Sequence, residues 1–177
     1  DFTPVCTTEF IALSRMNETF ESLNTKLIGL SIDSLHSHLG WIKSIEALNF
    51  NNEGKVKIPF PIIADISMNV AKKYGMLQTV ANTQTVRAVF IIDPEGIIRT
   101  ILYYPMSTGR NIPEIIRILQ SLQLNDKTHY STPANWQPGD DVVMGAPLTI
   151  EEAQERLESS DNTIKPLDWY LTMKKMK

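Results

Sequence analysis

Cysteine is nearly absent from this sequence, because Cys6 is the only one among 177 residues. An intrachain disulfide and every zinc site built from several cysteines are therefore excluded for this sequence. A basic excess is also absent, since 17 Lys and Arg face 20 Asp and Glu, a formal net charge of −3. That balance gives no reason to expect a nucleic acid or an anionic membrane as partner. The longest apolar runs, such as 88–92, are too short for a membrane-spanning helix.

Several common catalytic motifs are missing as well. The sequence has no Gly-rich phosphate loop, no Cys-x-x-Cys pair and no Gly-x-Ser-x-Gly motif. A lone thiol fits a reducing compartment, so we expect a cytoplasmic protein. The sequence begins with Asp1 rather than Met and soon enters a helical pattern. A helix of an α/β fold normally follows a strand, so we expect N-terminal strands before Asp1.

The hydrophobic pattern indicates alternating helices and strands. Apolar residues at steps of three and four over 7–23 predict a helix that starts near Val5 or Cys6. A second helix follows Ser34, with Leu35, Leu39, Ile42 and Ile45 on its predicted buried side. The other predicted elements are strands over 26–32, 60–64, 87–93 and 97–104 and helices over 67–74 and 113–122, with Gly75 and the turn 94–96 as breaks. This order predicts an α/β fold with a central mixed β-sheet flanked by helices.

The composition changes after about His129. Prolines at 133, 138, 147 and 166 alternate with Gly139 and Gly145. We therefore predict a domain over 1–128 and a C-terminal arm over 129–177. The arm is expected to pack on another protein surface, such as that of a second subunit. A short helix is predicted over 149–157, where Thr149 and Glu152 match a capping box.

Cys6 lies where the first helix is predicted to begin. Free backbone N–H groups and the helix dipole at that end favour a thiolate, the reactive form of the side chain. Thr3 carries a hydroxyl three residues earlier, and Pro4 shapes the loop between them. A small, buried, unreactive cysteine is the alternative. Position alone does not decide between the two.

His36 and His38 invite a metal interpretation. At positions i and i+2 of a helix the two rings point apart, unlike the i, i+4 pair of a zinc helix. We therefore expect a capping or packing role for at least one of them. We predict no metal site and no cofactor.

The stretch DFTPVCTTE, residues 1–9, resembles the peroxidatic loop of the peroxiredoxins, in particular of their one-cysteine subgroup. Other stretches similar to that family are KLIGLSID at 26–33, PFPIIAD at 59–65, RAVFIIDP at 87–94, TGRN at 108–111 and TPANW at 132–136. The resemblance covers nearly the whole chain. It implies a thioredoxin-like fold with a C-terminal extension arm.

The resemblance also implies roles for single residues. Cys6 would be the peroxidatic nucleophile, Thr3 would hydrogen-bond the peroxide and the thiolate, and Arg87 would polarise the reacting oxygens. Without the resemblance, Arg87 is more simply a surface arginine at a strand edge. Thr3 alone is a plain turn residue.

Three further residues would support the site. Arg110 resembles a second arginine near the pocket, and Glu9 resembles the carboxylate that fixes the guanidinium groups. Pro4 belongs to the same loop. Taken alone, Arg110 and Glu9 read as ordinary solvated charges or a weak ion pair.

The family reduces hydrogen peroxide and alkyl or other organic hydroperoxides through a cysteine sulfenic acid. Many relatives then use a second, resolving cysteine. Where long-armed relatives place such cysteines, this chain has Pro166 and Thr172. The resemblance therefore implies an external thiol reductant of the thioredoxin or glutaredoxin/glutathione type.

The resemblance implies a homo-oligomer, either a dimer or a decamer of five dimers. No nucleic-acid or membrane partner is expected. The alternative function is a thioredoxin-fold redox sensor or chaperone-like binding protein without peroxidase turnover. Only the enzyme needs Thr3 and Arg87 to converge on the sulfur of Cys6.

Overall fold

The computed structural model of the chain describes residues 1–77 and 85–176. The chain forms two compact units, Asp1–Ile112 and Pro113–Lys177. The assignment of 1–128 and 129–177 as domain and arm stays a prediction. Within the described ranges, the helices all fall short of the length and apolar character that crossing a bilayer requires.

The first unit begins with two short helices, α1 (Pro4–Arg15) and α2 (Asn17–Ser22). The sequence predicted a single helix over 7–23, which is wrong. Met16 separates the two helices, with φ −95° and ψ 4°. Its amide donates to the carbonyl oxygens three and four residues earlier, which tightens the last turn of α1. Apolar periodicity does not report such a break, because the buried side continues into α2.

Two parallel strands, β1 (Gly29–Ser31) and β2 (Ile62–Ala64), pair with each other. Both are shorter than the predicted spans. A 3₁₀ turn, Phe50–Asn52, lies between α3 and β2 in the sequence. The short helix α4 (Asn69–Lys73) follows β2, and Gly75 with φ +66° takes the left-handed conformation beyond its end.

Helix α3 (Leu35–Ala47) lies between β1 and β2 in the sequence. Its predicted cap is confirmed, because the Ser34 hydroxyl accepts a hydrogen bond from the Ser37 amide at 3.2 Å. Its predicted buried side is only partly right. Leu35 and Leu39 are each 57% exposed, so the prediction is wrong for both. The buried residues of α3 are His38, Trp41 and Ile45.

The core of the first unit joins α1 to α3. Ile11, Trp41 and Ile45 form a buried cluster. Side chains packed on it are Cys6, Phe10, Val56 and Ile58. The ring of Phe10 lies 4.7 Å from that of Trp41. Each fully buried large apolar side chain contributes about 1.5–3 kcal/mol, so this cluster holds the helix that carries Cys6.

The predicted hairpin is confirmed as β3 (Arg87–Ile92) and β4 (Ile98–Tyr104), an antiparallel pair. Arg87 lies opposite Tyr104, and the register shifts once near the turn. Gly96 takes φ +83° in that turn, as a glycine readily does. The hairpin fixes which face of the sheet Arg87 occupies.

The second unit contains most of α5 (Ile112–Thr128), which extends beyond the predicted span 113–122. Its remaining elements are β5 (Val142–Val143), α6 (Ile150–Leu157), β6 (Ile164–Pro166) and β7 (Thr172–Lys174). The three strands form one antiparallel sheet in the order β5-β7-β6. They were not predicted, since strands of two or three residues are too short to show an alternating pattern.

The predicted cap of α6 is confirmed. The Thr149 hydroxyl accepts from the Glu152 amide at 3.1 Å. The Glu152 carboxylate accepts in turn from the Leu148 amide at 2.8 Å, one residue earlier than in a standard capping box.

Candidate active site

Cys6 lies in the first turn of α1, as the sequence predicted. Thr3 is the N-cap and Pro4 is the first helical residue, where its fixed φ suits the helix and its missing amide donor costs nothing. The Thr3 side chain is exposed and makes no capping hydrogen bond. Cys6 itself is half-buried. A thiol in this turn lies near backbone N–H groups that are not used inside the helix.

Arg87, at the start of β3, reaches the sulfur. Its Nη1 donates to Cys6 Sγ at 3.4 Å and to Glu9 Oε2 at 2.5 Å. Its Nη2 donates to the Met106 carbonyl oxygen at 3.1 Å. Only 4% of Arg87 is exposed, so the interpretation as a surface arginine at a strand edge is wrong. The guanidinium group is fixed on two sides and directed at the sulfur.

Glu9 joins the two arginines. It lies one turn after Cys6 on α1 and is 4% exposed. Its Oε2 also accepts from Arg110 Nη1 at 2.6 Å, and its Oε1 accepts from the Arg110 amide at 2.7 Å. Arg110 Nη2 donates to the Ala88 carbonyl at 2.8 Å. The interpretation of Glu9 and Arg110 as solvated charges is therefore also wrong.

The charges of this cluster do not cancel. Burial lowers the pKa of Arg110, and repulsion from Arg87 acts in the same direction, while the Glu9 carboxylate opposes both. A guanidinium group nevertheless stays protonated in proteins. Two cations therefore face one carboxylate, which leaves one excess positive charge beside Cys6.

Two contacts that position residues of the site were missed by the sequence analysis. The Trp41 indole N–H donates to Thr7 Oγ1 at 3.0 Å, next to Cys6. The Met106 carbonyl orients Arg87, as described above. A carbonyl oxygen is supplied by any residue type, so no sequence signal marks it.

The histidines differ in environment. His36 is exposed, whereas His38 is 2% exposed. Each ring nitrogen of His38 lies within hydrogen-bond distance of an oxygen atom. The predicted packing role for at least one histidine is confirmed by His38. Pro166 and Thr172, the positions discussed for resolving cysteines, lie directly opposite each other in β6 and β7.

The geometry thus unites Cys6, Glu9, Arg87 and Arg110, with Thr3 and Pro4 at the entrance to the same helix. A half-buried thiol meets fixed cationic donors that are directed at its sulfur. That arrangement stabilises negative charge that develops on or next to the sulfur. It is suited to nucleophilic attack by sulfur on a small polar substrate.

Comparison with known proteins agrees with this chemistry. Residues 1–101 match the AhpC/TSA family, and residues 121–160 match the C-terminal domain of 1-Cys peroxiredoxin. A peroxiredoxin of Methanosarcina mazei is 54% identical over 177 residues, which are 99% of this chain and 81% of that protein.

Solved structures agree as well. A yeast mitochondrial 1-Cys peroxiredoxin superposes with a TM-score of 0.84 at 38% identity, over 99% of this chain and 82% of that one. A cysteine-to-serine mutant of peroxiredoxin 6 from Arenicola marina gives 0.81 at 33% identity, over 100% and 82%. The predicted thioredoxin-like α/β fold is confirmed by these matches. The chain belongs to the AhpC/TSA family and is a peroxiredoxin, a thiol-dependent peroxidase.

Proposed function

We propose that Cys6 is the peroxidatic residue, which reduces hydrogen peroxide and organic hydroperoxides and is regenerated by an external thiol. The observation that supports this most is the buried Arg87, whose Nη1 lies 3.4 Å from Cys6 Sγ. Family membership already disfavours the alternative of a redox sensor or chaperone-like protein without turnover.

In the first step the thiolate of Cys6 attacks the terminal oxygen of the hydroperoxide. An S–O bond forms and the O–O bond breaks, so that sulfur is oxidised to the sulfenic acid. The departing oxygen leaves as alkoxide or hydroxide and takes up one proton to become an alcohol or water. Negative charge moves from sulfur to that oxygen, and Arg87 is close enough to stabilise it at both positions.

The supporting residues act through this charge transfer. Thr3, whose side chain is exposed and free of a capping bond, donates to or accepts from the bound peroxide. Glu9 and Arg110 keep Arg87 in place, so that its donors need no reorganisation during the reaction. Pro4 fixes the backbone between Thr3 and Cys6.

The second step needs a thiol from outside the chain. Cys6 is the sole cysteine of this sequence, so the sulfenic acid condenses with an external thiol, and water is released. A further external thiol then reduces the mixed disulfide and restores Cys6. The yeast mitochondrial relative is described as resolved via glutathione/thioredoxin systems, and we propose reductants of these classes here.

We further propose a homo-oligomer, a dimer or a decamer of five dimers, in which the 129–177 arm packs on a neighbouring copy. Large apolar side chains that are more than half exposed support this proposal. Examples in the arm are Leu148, Ile150, Leu157, Leu167 and Trp169. Such patches commonly mark protein interfaces. A cytoplasmic location is proposed because a lone thiol fits a reducing compartment.

The test is intact mass after stoichiometric hydrogen peroxide with a sulfenic-acid trap. Native protein is expected to gain one adduct rapidly, while Cys6→Ser gains none. Reaction of the native protein no faster than that of free cysteine would overturn the proposal. Turnover assays with thioredoxin, glutaredoxin plus glutathione, and small dithiols then identify the class of reductant.

A further inference from the structure

His38 is a buried side chain to which the peroxidatic chemistry assigns no role. It lies on α3, and 2% of it is exposed. Its Nδ1 lies 2.8 Å from Asp1 Oδ2, and its Nε2 lies 3.3 Å from the Ile63 carbonyl oxygen. The side chain of Asp1 is 1% exposed. His38 therefore joins the loop before Cys6 to both α3 and β2.

The chemistry of these two contacts is specific. A carboxylate oxygen and a carbonyl oxygen are both acceptors, so the imidazole ring supplies the donor of this group. The contact with the Asp1 carboxylate, at 2.8 Å, is the shorter of the two. Leaving a buried acceptor without its donor is unfavourable.

The residue after Asp1 has an unusual backbone. Phe2 has φ +53°, in the left-handed region that is costly for a residue with a Cβ. Its side chain is 60% exposed, so burial of the ring does not explain the conformation. The ring reaches α3 at Gly40, where an added Cβ would lie 3.5 Å from Phe2 Cζ. Strained conformations of this kind persist only where the surroundings determine them.

The strained residue lies between the His38 contact and the N-cap of α1. Asp1 is fixed by His38 on one side of Phe2, and Thr3 follows on the other side. Since the backbone angles of Phe2 set the direction in which the chain enters α1, they also set the orientation of the Thr3 hydroxyl relative to Cys6. The contact of His38 with Asp1 is thus a buried attachment of this segment outside α1.

We propose that His38 is a positioning residue for the peroxidase reaction. By fixing Asp1 it holds Phe2 in the left-handed conformation and so directs Thr3 at the peroxide that Cys6 attacks. The inference rests on the proposed roles of Cys6 and Thr3. Misplacement of a substrate-orienting group by about 1 Å costs up to about a hundredfold in rate, so a measurable effect is expected without any contact between His38 and the substrate.

The test compares two reactions of the same sulfur. Oxidation by hydrogen peroxide needs an oriented Thr3, whereas alkylation by iodoacetamide needs only an accessible thiolate. His38→Gln retains an N–H donor but not the rigid ring that spans the Asp1 carboxylate and the Ile63 carbonyl oxygen. We expect about ten- to hundredfold slower oxidation with alkylation unchanged. The matched control is His36→Gln, the same substitution on an exposed site of the same helix, which is expected to leave both rates unchanged.

Asp1→Asn supplies a second, independent variant in case His38→Gln folds poorly. It keeps an acceptor for His38 but removes the charge, so a smaller loss of oxidation rate is expected. The double variant is expected to be no slower than His38→Gln, because the two residues act as one unit. Equal losses in oxidation and alkylation, or independent additive effects, would overturn the inference.

The outcome also separates this inference from the proposed function. If native protein oxidises no faster than free cysteine, the peroxidatic assignment of Cys6 fails, and this inference fails with it. If native protein reacts rapidly and His38→Gln reacts equally rapidly, the positioning role alone is overturned.

Discussion

Arg87 and Glu9 form an ion pair at 2.5 Å in which both residues are 4% exposed. The same Nη1 atom of Arg87 also donates to Cys6 Sγ at 3.4 Å. The Glu9 carboxylate therefore fixes the Arg87 guanidinium group, and that group still donates to the sulfur. Since Arg110 supplies a second positive charge to Glu9, the pair does not cancel the field at the sulfur. The Arg87 guanidinium group therefore has two roles: it forms a buried ion pair with Glu9, and it places a positive charge next to the sulfur.

Replacing Arg87 is expected to slow peroxide oxidation. Arg87→Ala removes a charged hydrogen bond of about 1.5–3 kcal/mol, which corresponds to about ten- to hundredfold in rate. Arg87→Lys retains the charge but not the planar fork, so an intermediate rate is expected. The measurement is stopped-flow tryptophan fluorescence, which follows the rate of oxidation.

The control for that experiment is Arg99→Ala, an arginine of the adjacent strand whose side chain is 26% exposed. It should oxidise at the native rate. Equal rates for native protein and Arg87→Ala would remove Arg87 from the reaction.

Glu9→Gln is expected to destabilise the fold. The substitution leaves two buried or half-buried guanidinium groups without their shared counter-charge. Breaking a buried ion pair typically lowers the free energy of unfolding by about 3–5 kcal/mol. Urea denaturation monitors this loss. Glu114→Gln is the matched control, because its pair with Arg117 lies closer to solvent, with side chains 39% and 23% exposed, and surface pairs contribute about 0–1 kcal/mol. Similar losses in the two variants would contradict the central role of Glu9.

Gly29 tests the packing of α1 on β1. A Cβ at this position would lie 3.1 Å from Phe10 Cζ and 3.3 Å from Ile62 Cγ1. Gly29→Ala should therefore lower the free energy of unfolding by about 1–3 kcal/mol through overpacking. Gly145→Ala, where nothing lies within 4 Å of the added Cβ, should be neutral or slightly stabilising. A neutral Gly29→Ala would show that Phe10 repacks without cost.

Asp161 provides a pH-dependent prediction. The Thr163 hydroxyl, the Thr163 amide and the Lys174 ammonium hold the pKa of the Asp161 carboxyl well below its usual range. Because the folded value lies below the unfolded value of about 3.9, the contribution to stability is present above that pH and is lost as the pH falls. An NMR titration should give a raised midpoint in Thr163→Ala and a smaller rise in Lys174→Met. A larger effect of Lys174 would contradict the order of causes.

Elements with local signals were predictable from the sequence. The Ser34 cap acts on the Ser37 amide and the Thr149 cap on the Glu152 amide, each within three residues. The hairpin turn at Gly96 is equally local. In all three cases the residues that determine the structure are neighbours in the chain, so a single sequence contains the necessary information.

Burial on α3 was less predictable, because distant residues determine it. Leu39 has the apolar character expected of a core residue and is 57% exposed. His38 beside it is buried, since Asp1 and the Ile63 carbonyl, 37 and 25 residues away, supply its hydrogen bonds. Periodicity records the polarity of a side chain but not the partner that makes its burial favourable.

The candidate site falls between these extremes. The placement of Cys6 at a helix start follows from local pattern. The convergence of Arg87 and Arg110 on Glu9 joins residues 78 and 101 positions apart. No pattern of neighbouring residues predicts contacts between positions so far apart in the sequence. Only the resemblance to a known family pointed to them.

The pairing of Arg87 with Tyr104 across the hairpin has a consequence for tolerance to insertions and deletions. Successive side chains of a strand point to opposite faces, so a slip of one position would turn the side chains of one strand to the wrong face relative to the other. Such a slip would also displace Met106, which follows β4 and whose carbonyl oxygen accepts from Arg87. The length of the exposed turn at 94–96 therefore contributes to the placement of the Arg87 guanidinium group beside Cys6.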